Sequence, residues 1–174
     1  MRTLFIITCF ANIAFAFGTL PWMPEKAAIH FDGNGIPNGW ASPITNAVLL
    51  SLITVFIGAI IFFCSFMVAM IAKHMPEHAN IPNRDYWLNE VNRPKTIRRL
   101  CVYTEFIGIG TMLIILLAQW EIFRANQMVP PKLPTMGNLL FATILFLIVF
   151  AIESVRLYLS FRLPKGTDSL RPLR

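Results

Sequence analysis

The sequence predicts an all-α fold, a polytopic membrane bundle of four transmembrane helices with both termini on the cytoplasmic side. Three observations carry this: an excess of apolar residues, four long apolar runs, and a strong asymmetry of lysine and arginine between alternate loops. Apolar residues make up 56% of the 174 and charged residues 14%, against roughly 45–50% and 25% in soluble domains. The mean hydropathy of +0.61 agrees. A soluble domain of this length has too little interior for so much apolar surface.

A hydrocarbon core of roughly 30 Å needs about 20 helical residues. Four stretches qualify: 4–20, 44–72, 100–120 and 136–159. The second carries no charge, the third only Glu105, and the fourth Glu153 and Arg156 near its end. The first also has the pattern of a signal peptide, with Arg2 before an apolar run and Ala14-Phe15-Ala16 as a small-residue site. Retention gives four spans and cleavage three.

Lysine and arginine in short flanks set orientation. One side holds Arg2, then Lys73, Arg84, Arg93, Lys95, Arg98 and Arg99, then Arg156, Arg162, Lys165, Arg171 and Arg174; the other holds only Lys26, Arg124 and Lys132. This places the N-terminus, second loop and tail in the cytoplasm of a plasma (inner) membrane. Trp22, Trp40 and Trp120 then fall at the outer boundary and Tyr103 and Tyr158 at the inner one, where amphipathic rings are favoured. Small residues at four-residue spacing are expected to bring helices together: Ala14 and Gly18, Thr54 and Gly58, Thr104 and Gly108.

The net charge of +6 follows these membrane flanks and not a nucleic-acid motif, so no nucleic acid is expected. Cys9, Cys64 and Cys101 lie in apolar runs and read as packing residues. His74-Met75-Pro76-Glu77-His78 fits an H-x-x-E-H zinc pattern, but Pro76 breaks the helix that such a site needs. No metal, cofactor or catalytic set is expected, and the protein is read as not an enzyme.

The first loop is not generic. Asp32-Gly33, Asn34-Gly35, Ile36-Pro37 and Asn38-Gly39 pack turn signals together, and residues 27–31 read as a short strand. The loop is expected to be a compact outer cap, with His30, Asp32 and Trp40 as candidate recognition residues. His30 and Asp32 have two readings, a ligand or proton site or caps on turn backbone. A calcium loop is excluded because Ile36 and Pro37 fill its fifth and sixth positions.

Pro21, His30-Phe31-Asp32, Gly35-Ile36-Pro37 and Trp40, followed by 80–88 in the second loop, resemble a bacterial membrane domain of unknown function. That domain lies at the N-terminus of SdpI-type immunity proteins, and the resemblance covers about the first half of the chain. It implies a multi-spanning protein in a family whose named example protects against a secreted peptide toxin and signals to a repressor. It carries no catalytic residues. On this basis 1–99 is read as an SdpI-like N-terminal domain and 100–174 as a C-terminal helix pair with a basic tail.

The second loop reads as interfacial. Tyr86, Trp87, Leu88 and Val91 would lie on headgroups, with Arg84, Arg93, Lys95, Arg98 and Arg99 beside anionic lipid; a docked cytoplasmic protein is the other reading. Glu105 and Glu153 fall at similar depth on antiparallel helices, with Arg156 on the face of Glu153. The three form a candidate intramembrane polar cluster, because a carboxylate in lipid needs a partner. The leading functional reading is immunity or sensing through the outer loop, with a peptide or protein as ligand. The alternative is a small transporter, or an accessory subunit of a membrane complex, using Glu105 and Glu153.

Overall fold

The computed structural model describes residues 1–133 and 137–163. Met136, expected to open the fourth span, and Lys165, Arg171 and Arg174 of the basic tail lie outside the described residues. Among the described residues, five α-helices and one hairpin follow in order: α1 (Arg2–Gly18), β1 (Ala27–Phe31), β2 (Pro37–Ala41), α2 (Pro43–His74), α3 (Arg84–Trp87), α4 (Arg93–Asn126) and α5 (Gly137–Ser160). Among the described residues, four helical segments are long and apolar enough to cross a membrane, at Arg2–Trp22, Pro43–His74, Arg93–Asn126 and Gly137–Ser160.

The third of these is longer than the expected 100–120. At about 1.5 Å per residue, α4 and α2 run roughly 50 Å, well beyond a hydrocarbon core. The surplus lets α4 reach the hairpin at one end and the α2–α4 loop at the other. The division expected between 99 and 100 falls inside α4.

Helices α1, α2 and α4 pack on one another, while α5 packs on α4 and has no fully buried residue. Phe5, Ile109 and Met112 form the centre, with Cys9, Ile57, Ile61 and Ile115 against them. Close approach is concentrated at Gly108. A Cβ there would lie 2.7 Å from Phe5 Cε2 and 2.9 Å from Ile61 Cγ2, so α1 and α2 both touch α4 at this point. Thr54 is buried, and Gly58 sits opposite Cys9 Sγ, 3.4 Å from where its Cβ would be. The first small-residue pair behaves differently: Ala14 and Gly18 are exposed, and Gly18 meets nothing within 4 Å. Four-residue spacing defines a face, and the face that α1 buries is the one with Phe5, Asn12 and Ala16.

Ser42 caps α2 by accepting from the Thr45 amide at 3.1 Å, with Pro43 as the first helical residue. The helix stops at His74; the chain breaks at Met75 and a 3-10 turn takes Pro76–His78. His74 and His78 therefore do not share a helix face.

The α2–α4 loop folds inward. Leu88 and Phe161 are buried. Trp87 Nε1 and Asn83 Nδ2 both donate to the Phe161 carbonyl at 2.8 Å, and Thr96 Oγ1 donates to the Trp87 carbonyl at 2.8 Å. The Arg99 guanidinium lies over the Trp87 and Phe161 rings. Trp87, expected on headgroups, instead packs on Phe161 just past the end of α5, where its ring and its N–H are both satisfied, and Leu88, expected there too, is buried within the loop. Val91 stays exposed.

Candidate functional site

The hairpin between α1 and α2 is the most elaborated non-helical part of the chain. Strands β1 and β2 pair antiparallel, with Ala28 opposite Trp40 and Phe31 opposite Pro37. The first strand matches the expectation over 27–31; the second was not expected, since Pro37, Asn38 and Gly39 are poor strand formers. The turn is closed by Asp32. Its Oδ1 accepts from the amides of Asn34 at 2.9 Å and Ile36 at 2.8 Å, which is the capping reading of this residue. Gly35 has φ +76°, the left-handed region that suits glycine. It also receives the Leu133 amide on its carbonyl at 3.0 Å, and a Cβ would come 2.8 Å from the Leu133 carbonyl oxygen.

The hairpin is fastened to α4. In an antiparallel ladder, alternate residues turn their backbone polar groups away from the partner strand. Ala28 does so, and Asn126 answers both groups: its Oδ1 accepts from the Ala28 amide at 2.7 Å and its Nδ2 donates to the Ala28 carbonyl at 2.8 Å. The side-chain amide completes the strand edge as a peptide would. Ala27 and Ala28 are fully enclosed, and Asn126 is buried. Gln127 Nε2 adds a bond to the Trp22 carbonyl at 2.9 Å.

Of the expected recognition residues, Asp32 is committed to the turn. His30 is exposed and its Nδ1 bonds the Asn38 side chain at 2.5 Å. Trp40 is exposed with Lys26 over its ring at 5.7 Å. Trp22 and Ile36 are exposed on the same loop.

The structure divides the three intramembrane candidates. Glu105 is 8% exposed and its ion partner is Arg2 of α1, at 3.6 Å; the Arg2 guanidinium also lies over Phe62 of α2 at 4.9 Å. Glu153 pairs with Arg156 at 2.6 Å on the exposed side of α5, beside Tyr103 and Arg99. Position 105 shares the helical face of Gly108 and Met112, turned to α1, whereas 103 and 106 face α5. Similar depth therefore does not join Glu105 to Glu153: Glu153 pairs within α5 and Glu105 turns to the N-terminal helix.

Asn12, Gln119 and Glu121 are among the buried polar groups that went unread in the sequence. Asn12 Nδ2 donates to the Met112 carbonyl at 3.0 Å and to the Thr8 carbonyl at 2.8 Å, while its Oδ1 accepts from Gln119 Nε2 at 2.9 Å. This ties α1 to α4. A lone Asn inside the apolar run 4–20 was the available signal, by the rule that polar groups in lipid find partners. Glu121 is buried, with Arg124 at 3.5 Å and Asn138 of α5 at 3.3 Å; it escaped notice because the third span was ended at Trp120. Asn12→Ala is expected to lower stability by about 1 kcal/mol, within the ~0.6–1.7 measured for hydrogen bonds between membrane helices. Denaturant-driven unfolding in mixed micelles, with helicity as the readout, measures it.

Four spanning-length apolar helices and a fastened interhelical hairpin are the architecture of a multi-pass membrane protein. A family model described as a domain of unknown function, DUF1648, matches residues 6–55. The match takes in most of α1, the whole hairpin and the first turns of α2. No curated protein and no solved structure matches the chain.

Proposed function

We propose that this is a four-span plasma-membrane protein, cytoplasmic at its N-terminus, α2–α4 loop and tail, that works without catalysis by binding a peptide or protein at the outer hairpin. The observation that carries the reading is the pair of hydrogen bonds between Asn126 and the Ala28 backbone. It holds the hairpin rigidly on α4 while Trp22, Ile36 and Trp40 remain exposed. Exposed aromatic anchors on a rigid base are what a recognition surface needs. The lysine and arginine asymmetry supports the orientation. The resemblance of 21–40 and 80–88 to SdpI-type proteins supports an immunity or sensory role, with a secreted peptide as the ligand class and the basic α2–α4 loop as cytoplasmic output.

Two measurements test it in intact cells. Membrane-impermeant thiol labelling should reach a cysteine at Asn34 and not one at Lys95, in a background lacking the native cysteines; the reverse pattern refutes the orientation. A photo-crosslinking residue at Ile36 should give a discrete polypeptide adduct that weakens at least tenfold with Trp40→Ala. Adducts to lipid alone would refute recognition by the hairpin.

A further inference from the structure

Helix α5 leaves a groove along its seam with α4. Its apolar part is a hollow of about 390 Å³ lined by Phe106, Gly110, Leu113, Leu117, Ala142 and Phe146, among others. Gly110 lets α5 close on α4 at the floor of this hollow, because a Cβ there would run into the Phe146 ring. A second hollow of about 330 Å³ continues from it toward the α4 N-terminus, and Phe106 lines both. Arg99, Tyr103, Glu153, Arg156 and Ser160 stand on its walls among apolar neighbours, Val102, Phe106 and Leu157.

We propose that this groove is a binding site for one anionic glycerophospholipid, with an acyl chain between α4 and α5 and the phosphate between Arg99 and Arg156. From position 106 to 117 the groove runs about 16 Å along α4, close to the depth of one leaflet. The headgroup end carries two guanidiniums against one carboxylate. Arg99 spends one nitrogen on Ser160, at 3.2 Å to its carbonyl and 3.1 Å to its hydroxyl. Stacking on Trp87 and Phe161 holds its plane in place. Arg156 gives Nη1 to Glu153 and is otherwise 71% exposed. Each guanidinium has five N–H donors, so both keep donors for phosphate oxygens. The site rests on the chain spanning a bilayer and makes no use of the hairpin.

The test uses the full chain, purified in detergent, delipidated, and titrated with phosphatidylglycerol or phosphatidylcholine under native mass spectrometry. One phosphatidylglycerol should be retained selectively. Arg156→Gln should weaken its retention about fivefold or more, in line with the weight of one basic residue at a membrane surface. Ala142→Phe, which fills the apolar part, should weaken retention of either lipid. Arg98→Gln removes an exposed charge at the same end but outside the groove, and should change nothing. Equal retention of the two lipids, an equal effect of R98Q and R156Q, or a neutral A142F would each overturn the site. Recovery of a soluble monomer without detergent would instead overturn the membrane reading itself.

Discussion

Asn126→Ala is expected to lower the stability of the hairpin–α4 junction by about 2–6 kcal/mol, since it strands a buried donor and a buried acceptor at about 1–3 kcal/mol each. Ala28 has no solvent exposure, so water cannot replace the lost partner without opening the loop. Limited proteolysis of detergent-solubilised protein should then cut within 24–42, a segment expected to resist cleavage in the parent. The rest of the bundle should keep its helicity, because the α1–α2–α4 centre at Phe5, Ile109 and Met112 lies away from this junction. Asn126→Asp separates the two bonds. A carboxylate still accepts from the Ala28 amide but faces the Ala28 carbonyl with a second acceptor; protonated, it donates. The N126D protein should therefore gain stability as pH falls through its carboxyl titration, while N126A stays flat. Equal protease resistance of parent and N126A would show that Asn126 does not hold the hairpin, and the case for a rigid recognition surface would go with it.

That junction also marks where sequence reasoning stops. The four spans are legible because apolarity is summed over some twenty consecutive residues and needs no partner. The turn at Asp32–Ile36 is legible for the same reason, as Asp, Gly and Pro act on backbone within a few residues. Asn126 is not, since its partner is 98 positions away and an Asn at a helix end is ordinary. The second strand was hidden by Pro37, Asn38 and Gly39. Tertiary context overrides their weak propensity: a Cβ at Gly39 would lie 2.9 Å from the His30 Cβ, so glycine lets β1 and β2 close. Glu105 illustrates the intermediate case. Its need for a partner follows from burial in lipid, but Arg2 becomes that partner only once α1 lies beside α4, and helix adjacency is absent from a hydropathy profile.

Helix adjacency is what Gly108→Leu would destroy. At Gly108 both α1 and α2 press on the backbone of α4, through the Phe5 ring and Ile61. A methyl group alone would overlap atoms at 2.7 and 2.9 Å, so Gly108→Ala is expected to cost about 1–3 kcal/mol by overpacking. The leucine side chain adds three further carbons in the same direction, which no rotamer can withdraw from a three-helix junction. Apolar burial gives membrane helices little net attraction, so packing that is lost here is not recovered elsewhere. Separation should also open the Arg2–Glu105 and Asn12–Gln119 contacts, both of which require α1 on α4. G108L should therefore insert normally but lose the compact bundle, seen as accessibility of Cys9 and Cys101 to a small thiol reagent in detergent. Gly18→Leu is the internal control. It sits on α1 with no atom within 4 Å of its Cβ position, and should change stability by less than about 0.5 kcal/mol. Should G18L prove as damaging as G108L, the seam would run along the Ala14–Gly18 face and not along Phe5 and Asn12. The arrangement of α1 on α4, together with both polar contacts across it, would then have to be redrawn.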